Sequence, residues 1–185
     1  DSVGRVLCTV GSTCSPFVVD EFNIVADATY NESDSSFLLT PELGNKKGMV
    51  WFKNRVDLSE SFTVTADLNF GDLNSSGADG IAFVMQPLST DQGSSGGGIG
   101  YAGITPSVAV EFDTWFNSEN SDPFSNDHAA VTYNGDVSGH LNSVDLNNIE
   151  DGNWHPVKIE WDPNLKTLKV TFDGVVIITH IKDII

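Results

Sequence analysis

Two acids of one predicted strand, Glu111 and Asp113, head the run of residues best suited to chemistry: Val108-Ala-Val-Glu-Phe-Asp-Thr-Trp-Phe-Asn-Ser-Glu-Asn-Ser-Asp-Pro-Phe-Ser-Asn-Asp-His128. Strand alternation puts Val108, Val110 and Phe112 on one face and both carboxylates on the other, about 7 Å apart. Left unpaired, they would repel and raise each other's pKa. No Lys or Arg lies between Val56 and Val157 to neutralise them, while fifteen Asp and Glu do. A metal ion is the natural compensation. Asn117, Asp122, Asp127 and His128 follow in a loop, offering the hard oxygens that calcium prefers and one imidazole that suits a transition metal better. An acidic loop alone is usually just solvated; the in-strand pair is what demands a cation. The spacing is not that of an EF-hand, which needs Asp-x-Asn/Asp-x-Asn/Asp-Gly and a terminal Glu.

The elements that must position these residues read as strands. In Ser61 to Phe70, the residues Phe62, Val64, Ala66, Leu68 and Phe70 alternate with polar ones, the pattern of a strand with one wet face. Val157, Ile159 and Trp161 alternate likewise, a turn at Asp162-Pro163-Asn164 follows, and then Leu168, Val170 and Phe172 repeat the pattern. Asp173-Gly174 closes a hairpin into Val175 to Thr179. Further strands are expected around Gly48 to Leu58, Asp79 to Gln86, Ser107 to Trp115 and Ala129 to Tyr133. Many short strands with Gly, Asn and Ser turns predict an all-β, antiparallel sandwich or barrel. The Gly93 to Gly100 stretch reads as a loop between strands. Trp51, Trp154 and Trp161 read as core or sheet-face residues, and His140, His155 and His180 show no ligand partners in the sequence.

The 185 residues make one ordinary domain. No apolar run approaches eighteen residues, so membrane insertion is not expected. With 26 acidic residues against 9 basic, for a net charge of −17, the chain lacks the positive field that nucleic acid requires. Cys8 and Cys14 predict a local disulfide, which points to an oxidising, extracellular compartment. Residues 1–19 therefore read as an N-terminal segment carrying that bridge, and 20–185 as the domain proper. No charged-then-apolar leader opens the sequence, so a secretion signal is expected to have been removed or excluded. Asn31-Glu32-Ser33 and Asn74-Ser75-Ser76 match the glycosylation sequon.

Glu111-Phe-Asp113-Thr-Trp115-Phe-Asn117, followed by Asp122-Pro123 and His128, resembles the metal-binding signature of the legume-type (L-type) lectins, its Asn-Asp-His ending being nearer to their bacterial relatives. Leu39-Thr40-Pro41, Gly77-Ala-Asp79-Gly-Ile-Ala-Phe83 and Gly96-Gly-Gly-Ile-Gly-Tyr-Ala-Gly103 agree in order, so the likeness runs from about Asp20 onward. It implies an antiparallel jelly-roll β-sandwich, the concanavalin A-like lectin fold, that binds glycans or cell-surface polysaccharide without cleaving them. Calcium would be held by Asp113, Asn117 and Asp122 with the backbone carbonyl of Trp115. Glu111, Asp113, Asp122 and His128 would hold a second divalent ion such as Mn2+, although His128 stands six residues past Asp122 where the plant pattern has five. Sugar would meet Asp79, backbone N–H groups at Gly97 or Gly98, Asn117, and the ring of Trp115 or Phe116. The resemblance also implies a cis Ala78–Asp79 peptide. In the family, an aromatic-Gly-Phe-Thr strand and a specificity loop follow the segment matching Val175 to Thr179. Here the sequence ends at Ile185, so either a sheet edge or gap stands where that strand would pair, or the segment belongs to a part removed.

The expected function is calcium-dependent glycan binding in a module of a secreted or cell-surface, adhesin-like protein. Two other classes compete. A jelly-roll glycosidase would carry Glu-x-Asp-x-(x)-Glu on one strand face, but Trp115 or Phe116 stands where its acid should be and no third carboxylate appears before Glu119, so no proton donor is supplied and no enzyme is expected. A purely structural, calcium-stiffened domain has no need of Asp79, the glycine loop and Asn117 together.

Overall fold

A computed structural model describes residues 2–8 by their backbone and residues 18–184 in full. The chain runs through β1 (Ser2–Cys8), β2 (Phe22–Ala26), β3 (Thr29–Asn31), β4 (Ser36–Thr40), β5 (Gly48–Phe52), β6 (Phe62–Asn69), β7 (Gly80–Met85), β8 (Val108–Asp113), β9 (Asp127–Tyr133), β10 (Leu141–Asn147), β11 (His155–Asp162), β12 (Thr167–Phe172) and β13 (Val175–Ile181). No α-helix occurs among the described residues. All pairings are antiparallel. The strands form a seven-stranded sheet in the order β13-β12-β11-β6-β1-β4-β3, a four-stranded sheet β10-β9-β8-β7 and a two-stranded ribbon β2-β5. This is the jelly-roll sandwich. The backbone of the N-terminal segment contributes β1, inserted between β6 and β4; the predicted Cys8–Cys14 bridge lies outside the described side chains.

Alternation builds the core. Leu68, Val157, Ile159, Trp161, Leu168, Val170, Phe172 and Ile178 of the larger sheet face Ile81, Val108, Val110, Phe112, Ala129 and Val131 of the smaller one. Phe112 and Phe172 meet across the gap with ring centroids 5.6 Å apart. The one buried indole nitrogen in this layer, Trp161 Nε1, donates to the Leu58 carbonyl at 2.8 Å, so its burial leaves no donor unpaired. At the β12–β13 turn, Asp173 (φ 48°) and Gly174 (φ 78°) both take the left-handed conformation that a two-residue type I′ turn requires. Trp154, by contrast, is exposed.

β8 is buried on both faces. Its outer face is covered by the loop between β7 and β8, whose Ile99, Tyr101 and Ile104 pack on Ala109 as a second small core. This cover explains why Glu111 and Asp113 are buried rather than half-wet, as simple alternation would have them. β7 forms one edge of the four-stranded sheet, and no described strand pairs with its outer side. A cavity of about 1690 Å³ opens beside it, lined by apolar residues of β5, β6 and β7 and also by Asp79 and Gly96.

Candidate metal and carbohydrate site

Antiparallel register assembles the site. Asp113 at the end of β8 pairs with Gly80 of β7 on one side and His128 of β9 on the other; two residues earlier, Glu111 pairs with Ala82 and Ala130. Asp79, Asp113 and His128, far apart in sequence, are thereby brought to one end of one sheet. Gly80 permits the approach: with φ +132°, it lies so close to β8 that a Cβ would stand 2.1 Å from the Phe112 carbonyl oxygen. The Ala78–Asp79 peptide ahead of it is cis, as is Thr105–Pro106. Thr114 N–H donates to the Asp79 carbonyl at 3.0 Å and continues the β7–β8 pairing past the strand end.

The loop after β8 folds back on its own acids. Asp113 Oδ1 accepts the Trp115 N–H at 2.8 Å, and Asp122 Oδ2 accepts the Asn117 N–H in a short hydrogen bond. Their remaining capacity points inward, and Asn117 Oδ1 and Asp122 Oδ1 are buried without a hydrogen-bond partner. Burial pushes the Asp113 carboxyl up to about 8, with Asp122, Glu111 and Asp79 adding like charge and only the Trp115 N–H opposing. Burial also raises Asp79 and Asp122. Buried acceptors without donors, in a cluster of acids, fit a divalent cation, because a cation supplies the charge that the surrounding protein does not.

Beside this loop lies the glycine segment. Gly97 packs so closely on it that a Cβ would stand 2.9 Å from Asn117 Oδ1, and Asn120 Nδ2 donates to the Gly97 carbonyl at 3.0 Å. A Cβ on Gly96 would lie 4.0 Å from Asp79 Oδ2. Asp79, Gly96–Gly97 and Asn117 therefore converge from three separate parts of the chain. Gly98 turns the other way: its carbonyl accepts the Ser94 hydroxyl at 3.0 Å, and a Cβ there would press on Ser94 and Ala102. Trp115 and Phe116, between Asp113 and Asn117 in the chain, are 42% and 50% exposed. They border a groove of about 460 Å³ lined also by Asn74, Ser125, Asn126, Asn147 and Asn148.

A residue with no ligand partner visible in the sequence joins the acids. His140, just before β10, places Nε2 3.1 Å from Glu111 Oε1 and 3.7 Å from Asp122 Oδ1. Glu111, His128 and His140 form one group whose ligand atoms all lie within 4.8 Å of one another, and Asp113, Asp122 and His128 form another. Burial lowers His128, while Glu111 beside it raises His140. Tyr101, fully buried in the glycine segment, donates its hydroxyl to Glu111 Oε2. The other two histidines lie elsewhere: His155 contacts Asp173 and Asp151, and His180 contacts Tyr133 and Asn142.

Comparison with known proteins identifies the family and the fold. Residues 15–185 match the family profile described as the legume lectin beta-barrel domain. Among curated proteins, the pesticidal crystal protein Cry22Aa of Bacillus thuringiensis is 29% identical over 170 residues, 80% of this chain and 23% of that protein. The serine-rich adhesin for platelets of Staphylococcus aureus (strain MRSA252) is 29% identical over 116 residues, 60% of this chain and 8% of the adhesin. The chain thus spans under a quarter of either relative. Among solved structures, basic winged bean lectin with Tn-antigen superposes with a TM-score of 0.74 at 22% identity, over 99% of this chain and 81% of the lectin. The Lotus tetragonolobus seed lectin superposes with a TM-score of 0.75 at 20% identity, over 88% of this chain and 78% of its own. The profile match extends from ahead of β2 to the end of the chain, and the protein belongs to the legume-type (L-type) lectin family.

Proposed function

We propose that this domain binds glycans in a calcium-dependent manner and does not hydrolyse them. The observation that carries the reading is the meeting of Asp79, the Gly96–Gly97 backbone and Asn117 beside a cluster of buried acids. Asp79 accepts hydrogen bonds from two sugar hydroxyls, each charge-assisted bond contributing roughly 1.5–3 kcal/mol. The Gly97 N–H donates to a sugar oxygen at a place where a side chain would block approach, and the intraloop packing of Gly98 makes it the weaker of the two candidates. Trp115 or Phe116 stacks on the apolar face of the pyranose.

Asp113, Asn117 and Asp122, with the Trp115 carbonyl, would hold calcium, which when bound neutralises the carboxylates and fixes the Asn117 amide. Glu111, Asp113, Asp122 and His128 remain the candidates for a second ion. The acidic surface, the family and the adhesin among the relatives support a module of a secreted or surface-attached protein. Shallow sites of this kind bind weakly one at a time, so several copies would act together.

A glycan array read with calcium and with chelator tests this. Calcium-dependent binding is expected, and Asp79→Asn should weaken it at least about tenfold, as expected for loss of a charge-assisted hydrogen bond, while the circular dichroism spectrum stays unchanged. Calcium stabilisation without binding to any glycan would instead favour a purely structural module.

A further inference from the structure

The four described histidines divide into two pairs. His155 and His180 have both ring nitrogens engaged: His155 with Asp173 at 2.9 Å and Asp151 at 3.2 Å, His180 with the Tyr133 hydroxyl at 2.9 Å and with Asn142. His128 and His140 are different. Each has its Nε2 buried with no hydrogen-bond partner, and both face Glu111 Oε1, itself buried and unpartnered. The imidazoles meet edge to face with centroids 5.6 Å apart, an arrangement that brings two nitrogens to one carboxylate oxygen.

We propose that His140 is a direct ligand of the second metal position, making it a two-imidazole site of Glu111, His128 and His140, with Asp122 adjoining, that selects a borderline transition ion such as Zn2+ over Mn2+. The inference rests on the reading of the Glu111–His128 segment as a metal centre; it does not depend on sugar binding. Ligand atoms about 2.0–2.2 Å from a tetrahedral ion lie roughly 3.3–3.6 Å from one another. The separations here, 3.1 Å for His140 Nε2 to Glu111 Oε1, 3.7 Å for His140 Nε2 to Asp122 Oδ1 and 3.9 Å for His128 Nε2 to Glu111 Oε1, bracket that spacing. The contact at 3.1 Å is near enough for a hydrogen bond yet misaligned for one. The Tyr101 hydroxyl takes the other oxygen of Glu111 and fixes the carboxylate so that Oε1 faces the imidazoles, the supporting role usual around metal ligands.

Chemistry sets the metal preference. A site of carboxylates with one imidazole suits Mn2+, whereas a second imidazole in place of water or oxygen shifts the preference toward Zn2+, Co2+ or Ni2+. Two histidines and a glutamate make a donor set well known for zinc.

The test begins with the full chain stripped by chelator and dialysed against Zn2+ and Ca2+. One retained zinc per chain is expected by metal analysis, with Mn2+ bound at least about tenfold more weakly. His140→Gln should weaken zinc binding at least about tenfold and leave the calcium-induced thermal shift in place. On the unaltered chain, imidazole nitrogen NMR should show Zn2+ moving Nε2 of His128 and His140 while His155 and His180 stay put. Equal zinc affinity in His140→Gln, an unmoved His140 resonance, or no zinc uptake by the wild type would each overturn the proposal. If calcium-dependent glycan binding survives in that last case, this inference alone fails; absence of any calcium response would overturn the reading beneath it.

Discussion

Glu150 carries a pH dependence of its own. The residue is 3% exposed and its Oε2 has no hydrogen-bond partner. Burial, reinforced by the nearby Asp127, pushes the carboxyl from 4.5 up to about 7. The folded chain then keeps a proton on Glu150 that the unfolded chain has already released, so across that interval the native state binds more protons and stability falls as pH rises. Glu150→Gln removes the dependence: its melting temperature should exceed the wild type's at about pH 8 and match it at about pH 4. Thermal melts at the two values check this. The candidate metal residues from Glu111 to His128 could be picked out by reading along the sequence because they lie within eighteen positions of one another. His140 could not. It lies beyond the β9–β10 turn, and the β9–β10 register shifts between Leu141 and Val144, so counting residues does not place it beside Glu111.

At the scale of elements, the site depends on β8 being held between β7 and β9, and Gly80 is a point of close backbone approach in that contact. Gly80→Ala adds a Cβ 2.1 Å from a backbone carbonyl at φ +132°, where no flexible side chain can yield. The expected loss is at least about 2 kcal/mol, read as a shift in the midpoint of chemical denaturation. The strands with strict alternation, β6, β11 and β12, fall within a residue or two of their expected bounds, as do β7, β8, β9 and β13, whereas β5 begins at Gly48 as expected but ends at Phe52, short of Leu58. β10 was missed because Leu141-Asn-Ser-Val-Asp-Leu-Asn147 is mostly polar, half exposed and broken by two register shifts, so its apolar residues keep no clean period. β2, β3 and β4 are three to five residues long, too short for periodicity to separate strand from loop. The glycine run was read correctly as a loop, but its role as a lid of Ile99, Tyr101 and Ile104 over β8 comes from tertiary packing.

For the molecule as a whole, the sandwich is a stable base that holds three loops together at one end of the smaller sheet. The acids gathered there oppose one another until a cation joins them, so calcium should stabilise the entire fold by mass action. A hundredfold excess over the dissociation constant should contribute about 2.7 kcal/mol, seen as a rise in melting temperature that chelator reverses. Through the candidate second ion position, the Tyr101 hydroxyl on Glu111 Oε2 extends metal dependence to the glycine-rich loop. Because the phenol anchors its loop to a carboxylate whose position a bound ion would stabilise, removal of metal should slacken the glycine-rich strap and leave it open to nicking. Trypsin would be blind to the event, since no Lys or Arg occurs from Asp57 to Pro156. A protease that cuts after small residues and tolerates chelator should cleave between Gly93 and Gly100 in the stripped protein and spare the loaded one.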